Sequence, residues 1–131
     1  IIFLYLTQVF ATTVFTRDYT EQRFALTPFW SWRLAMQGDT GLKEEIILNF
    51  LMLIPVGIFL PIVFSKRFKL RYGILLGLFI SITIEICQFI WKCGLVETDD
   101  LIGNTCGCVI GCIMTVVFQK IYIKIQSLTK S

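Results

Sequence analysis

Three apolar runs, 46–64, 73–91 and 101–118, dominate the chain. Each is long enough to cross a lipid bilayer as a helix, which takes about 20 residues with a lower limit near 17. A soluble domain would struggle to cover them: 56% of the 131 residues are hydrophobic and 16% charged, against about 25% charged in soluble domains. Hydrocarbon offers the backbone no water, so a spanning segment must pair its own N–H and C=O groups, as an α-helix does. A fourth, softer run at 1–15 contains Thr7, Gln8, Thr12 and Thr13. It starts without a Met and is expected to continue upstream. The sequence predicts an all-α integral membrane bundle of about four helices, near 1–16, 45–64, 72–91 and 101–119. They form a single domain across 1–131 with a tail at 120–131.

The connections set the orientation. Residues 65–71 carry Lys66, Arg67, Lys69 and Arg71 with no acid, and the tail carries Lys120, Lys124 and Lys130. Excess Lys and Arg marks cytoplasmic segments. An even number of helices separates the two, so both signals agree on a cytoplasmic C-terminus. Segments 17–45 and 92–100 then face outward. The run Pro28-Phe29-Trp30-Ser31-Trp32 suits a short interfacial helix in the first outer segment; an ordinary loop bearing an aromatic belt is the alternative. Once orientation accounts for the basic residues, a net charge of +3 gives no reason to expect nucleic acid. No histidine occurs, which removes the commonest general base and metal ligand. Cys87, Cys93, Cys106, Cys108 and Cys112 form no C-x-x-C pair. They read as small packing residues, with Cys93, the one in a loop, the candidate for a disulfide. Neither a cofactor nor a metal is expected.

Polar residues inside apolar helices need a reason, because an ionisable group there costs at least about 2.5–3.5 kcal/mol. Glu85 is the clearest case. Gln88 lies three residues on, and Gly77 and Ser81 extend the same helical face backward. In the last run Asp100 and Asn104 share a face, continued by Gly107 and Gly111. Gly103, Gly107 and Gly111 also make G-x-x-x-G-x-x-x-G, a spacing that lets helix backbones approach closely. Asp99 or Asp100 has the alternative of capping a helix start. Asn49 sits early in its run, and Pro55 beside Gly57 interrupts the hydrogen bonding of the same helix. Under the predicted topology Asn49, Glu85, Gln88, Asp100 and Asn104 reach one depth, on the outward side. This predicts a shared outward-facing polar site; the alternative is a network that only holds the bundle together. Arg23, Arg33 and Lys92 are the cations available to Glu85.

The run Ile84-Glu85-Ile86-Cys87-Gln88-Phe89, followed by Glu97-Thr98-Asp99-Asp100-Leu101-Ile102-Gly103-Asn104-Thr105-Cys106-Gly107, resembles the VanZ-like family. That family has an E-x-x-Q motif, an acidic loop and D-x-x-x-N-T-x-G. Asn49 to Gly57 resembles its N-x-x-x-x-x-P-x-G helix, and Leu26-Thr27-Pro28-Phe29 its N-L-x-P-F segment. Ala25 stands where that Asn would be. Gly94 and Leu95 stand where many members carry an Arg. The resemblance covers about Arg23 to Gly111. It implies a bacterial cell-membrane protein, and a link to low-level resistance to the lipoglycopeptide teicoplanin.

Two functions compete. In the first, Glu85 and Asp100 are a general acid/base pair acting on a lipid or lipid-linked envelope substrate. Gln88, Asn104, Asn49, Asp99 and Arg23 orient that substrate. In the second, the protein is a non-catalytic accessory that binds lipid or the antibiotic, or modulates an envelope partner. Membrane lipids are the expected surroundings in both. A homo-oligomer joined through the glycine face is a further expectation, and it would be needed for a transporter.

Overall fold

A computed structural model describes residues 2–15, 23–64, 67–92 and 95–129, the side chains of 14, 15 and 23 excepted. The chain runs through α1 (Ile2–Phe10, continued by a π-helical turn Ala11–Phe15), β1 (Arg23–Ala25), α2 (Trp30–Met36), α3 (Thr40–Phe64), α4 (Leu70–Trp91), β2 (Leu95–Glu97) and α5 (Thr98–Thr129). Among the described residues α3, α4 and α5 are long and apolar enough to cross a membrane, and α1 is a shorter apolar helix. The 25 residues of α3 reach about 38 Å at 1.5 Å per residue, more than the roughly 30 Å of hydrocarbon. The all-α membrane bundle expected from the apolar runs is what forms.

Helix boundaries differ from the hydropathy pattern where capping decides them. The third helix starts at Thr40, five residues before its apolar run leads one to expect, because Asp39 accepts the Leu42 N–H at 3.0 Å and supplies the missing partner of a first turn. Just upstream, Gly38 takes φ 114° and its N–H bonds the Ala35 carbonyl at 3.2 Å, the usual means of ending a helix. The segment Pro28–Met36 therefore holds a helix of its own, α2, which begins two residues after the proline. Residues 120–129, expected as a tail, continue α5.

Packing centres on α3 and α5, which run parallel, with α4 antiparallel to both. Leu53, Val56, Ile80, Ile84, Cys108 and Cys112 form the core between them. Cys108 and Cys112 are fully buried, while Cys87 and Cys106 are partly buried; all four are free thiols. Cys93 lies outside the described residues.

Close approach is what the glycines allow. A Cβ on Gly107 would lie 2.0 Å from the Phe50 carbonyl oxygen, and one on Gly111 2.2 Å from that of Ile54. From the other side, a Cβ on Gly57 would lie 2.0 Å from the Cys108 carbonyl oxygen. This glycine face is occupied by α3 of the same chain. Helix α3 runs unbroken through Pro55 and Pro61. The Tyr5 hydroxyl of α1 donates to the Met52 carbonyl at 2.6 Å, beside the proline-interrupted turn.

The two strands were not foreseen. They pair in parallel, with Arg23 opposite Leu95, Phe24 opposite Val96 and Ala25 opposite Glu97. Three-residue strands carry no readable period. Their physical reason is local: segments entering and leaving the bundle have backbone groups that need partners.

Gly107→Ala and Gly103→Ala are expected to separate in sign. Alanine is intrinsically better than glycine in a helix by about 0.5–1 kcal/mol. At Gly103 the nearest atom to an added Cβ is 3.5 Å away, so that gain is kept. At Gly107 the clash outweighs it by about 1–3 kcal/mol. Thermal unfolding of the two variants in detergent measures the difference, and equal midpoints would contradict the backbone contact.

Candidate functional site

Buried polar side chains collect at one end of the bundle. Ser31, Asn49, Ser81, Glu85, Gln88, Glu97, Asp99, Asp100 and Asn104 are all buried. They come from α2, α3, α4, β2 and α5. The parallel contact of α3 and α5 sets Asn49 beside the start of α5, where its Nδ2 donates to Asp100 Oδ1 at 2.5 Å. One turn further along α5, Asn104 Nδ2 donates to Ser81 Oγ at 3.1 Å. Ser81 lies four residues before Glu85, on the same face of α4. Glu85 Oε2 in turn accepts the Glu97 N–H at 3.1 Å. Gln88 Nε2 donates to the Thr13 carbonyl at 3.1 Å, tying α4 to the π-helical turn after α1.

The structure thus buries Asn49, Asp100, Asn104, Glu85 and Gln88 in the interior of the bundle, with Asn104 bonded to Ser81, four residues before Glu85 on α4. Gln88 Oε1 and Asn104 Oδ1 are buried atoms with no hydrogen-bond partner among the described residues. Such acceptors inside a membrane protein cost free energy unless something donates to them.

Asp99 has a separate task. Its Oδ1 accepts the Phe29 N–H at 2.5 Å, and its Oδ2 accepts the Ser31 N–H at 3.0 Å and the Ser31 hydroxyl at 2.6 Å. It therefore caps α2, not the helix that carries it. Phe29, at φ 63°, sits in the left-handed region, which a bulky residue adopts only when its surroundings hold it there. Asp99 is that hold. Trp32 of the anchored α2 then packs edge-on against Phe50 of α3, with ring centroids 5.9 Å apart. The backbone of Arg23 pairs in β1, and its side chain lies outside the described residues. Pro55 is half-buried and Gly57 fully buried in α3.

Sequence reasoning missed Glu97 and Ser31 as buried members of the cluster. Glu97 is 5% exposed at the end of a three-residue strand. No helical spacing relates it to Glu85, so no pattern pointed there. Ser31 stands inside the aromatic patch, where the neighbouring rings masked it.

An open groove of about 670 Å³ runs between α1 and the first half of α3. Its walls are mixed: Thr12, Thr13, Gly41, Glu44, Glu45, Leu48 and Asn49 line one part, and Tyr5, Gln8, Val9, Leu51 and Met52 the other. Asn49 belongs both to this groove and, through Asp100, to the buried cluster.

Apolar helices packed through glycines around a buried polar cluster define an integral membrane protein with a candidate site at one end. The family model described as VanZ/LLP1 matches residues 1–119, and the chain belongs to that family. Among curated proteins, Protein VanZ of Enterococcus faecium is 34% identical over 95 residues, covering 72% of this chain and 53% of that protein. The chain thus spans about half the length of the curated relative it matches. No solved structure gives a significant match.

Asp99→Ala is expected to release α2 from the bundle. Hydrogen bonds to a charged group contribute roughly 1.5–3 kcal/mol each, so the amides of Trp30–Met36 should exchange with solvent much faster while those of α3 and α4 stay protected. Unchanged exchange in α2 would show that Asp99 does not anchor it.

Proposed function

We propose that the protein acts at the outward end of the bundle on the polar part of a lipid or lipid-linked envelope molecule, and by this contributes to glycopeptide resistance of the teicoplanin type. One observation carries the reading: the carboxylates Glu85 and Asp100, from different helices, are both buried, and the buried amides Gln88 and Asn104, on the same two helices, have acceptor oxygens without a partner among the described residues. A network meant only to hold helices together does not need carboxylates, which are the costliest groups to place there. The groove supports the same reading, since its lining combines apolar side chains (Val9, Leu48, Leu51 and Met52) with Glu44, Glu45 and Asn49. A chain-bearing molecule with a polar head fits that combination.

In this proposal Glu85 and Asp100 exchange protons with the substrate, each held in a distinct setting. Asp100 accepts from the Asn49 amide and Glu85 from a backbone N–H. Carboxylates in unlike environments can hold different protonation states, the requirement for one acid and one base. Gln88 and Asn104 offer carbonyl oxygens to a donor on the substrate head. Asn49 meets the head as it leaves the groove. Family membership supports the envelope setting, and the resistance link comes from the resemblance to VanZ-like proteins. On this reading the chain crosses the membrane several times with its C-terminus in the cytoplasm, an orientation supported by the basic residues at 65–71 and beyond Phe118.

A second reading has its own support. Glu85, Asp100 and Asp99 already accept hydrogen bonds within the protein, which suits a preformed binding site as well as a reactive one. On that reading the protein binds a lipid or the antibiotic without chemistry.

Glu85→Gln separates the two. It keeps size and hydrogen bonding but removes proton exchange. Loss of teicoplanin resistance with unchanged membrane levels is the expected result under catalysis, at a cost of about 10²-fold or more in rate; full resistance in the variant would leave only binding. Orientation is tested in intact cells with an impermeant amine reagent. Lys92 should be modified, and Lys69 should react only after the cells are opened; labelling of both from outside would refute the topology.

A further inference from the structure

Among the described residues the acids Asp39, Glu44, Glu45, Glu85, Glu97, Asp99 and Asp100 lie toward one end of the bundle, together with Arg33, Lys43 and Lys92. At the opposite end, Arg67, Lys69 and Arg71 precede or open α4, and Lys120 and Lys124 lie on the far part of α5, with no acid in either segment. Between these two segments lies a groove of about 890 Å³, within the size range of ligand sites. Its walls are Phe68 and Leu70 on one side and Ile113, Val116 and Val117 on the other, and Lys120 is the charged residue lining it. Leu70, Ile113 and Val117 are exposed, on helices that are long and apolar enough to cross a membrane.

We propose that this groove binds an anionic membrane lipid. Its acyl chain lies along Phe68, Leu70, Ile113 and Val116, and its phosphate meets Lys120. Two properties select that occupant. The walls are apolar along helix faces that stand in hydrocarbon, so a chain of methylenes is favoured there over a polar peptide. The cations gather where those helices leave the hydrocarbon, at headgroup level, and basic pockets between membrane helices favour acidic headgroups. Arg67, Lys69 and Arg71 alternate with Phe68 and Leu70 in sequence, so the apolar wall and the positive rim come from the same short stretch. Arg71 also lies 5.5 Å from the Tyr72 ring centroid, which holds one of those cations near the turn. This site is at the other end from the polar cluster, and it does not depend on any chemistry there.

Native mass spectrometry of the full chain, released from detergent with equal phosphatidylglycerol and phosphatidylcholine, tests the proposal. The expected result is retention of one phosphatidylglycerol in about fivefold preference, as one lysine near a headgroup supplies. Lys120→Gln should abolish the preference and Lys120→Arg should keep it. Val116→Trp, which fills the groove without touching charge, should remove the bound lipid of either kind. Lys124→Gln, outside the groove, should change nothing. Equal retention of the two lipids would overturn the proposal. So would an equal loss on Lys124→Gln, which would assign the preference to diffuse surface charge. Displacement of the lipid by inorganic phosphate alone would make the occupant a free anion and overturn it too.

Discussion

An amide or carboxylate placed in hydrocarbon without a partner costs several kcal/mol, and no water is there to relieve it. That penalty organises one end of this molecule. Nine polar side chains are buried among the described residues, and the helices are arranged so that several of these groups meet. Asn49 reaches Asp100, Asn104 reaches Ser81, and Glu85 takes the backbone N–H of Glu97. The same demand explains the short parallel strand pair and the capping of α2 by Asp99. Each supplies backbone groups near the membrane with partners they could not find elsewhere.

Pairing polar groups across helices requires the backbones to be close. Lipid gives helices no hydrophobic reason to associate, so packing and polar contacts must do it. Gly107 and Gly111 let α3 lie almost against the α5 backbone, and Gly57 returns the contact from α3. The parallel direction of these two helices then sets Asn49 at the start of α5. Glycine spacing and polar cluster are thus one design: the notch fixes the register, and the register pairs the amide with the carboxylate.

The face shared by Gly77, Ser81, Glu85 and Gln88 was legible because a helix repeats every 3.6 residues, and the same holds for Asp100 with Asn104 and Gly107 with Gly111. The apolar runs located α3, α4 and α5, although α3 starts at Thr40 and α5 runs on to Thr129. Boundaries shifted where a single side chain decided them, as Asp39 does at the start of α3. Helix continued through 120–129 because nothing in that stretch stops one. Glu97 escaped notice since it sits on a strand too short to show a period. Asp99 was read as a ligand or a cap of its own helix, and it caps a helix 68 residues away in sequence.

The sequence by itself determined the class of fold, the polar face of each long helix and the acid-free basic stretches at 65–71 and after Phe118, because all three are properties of composition and period along one segment. Which polar groups pair, which helix Asp99 serves and where the two grooves open were decided only by tertiary structure. Those depend on distances between segments far apart in the chain, and a one-dimensional pattern carries no information about the depth at which two helices cross.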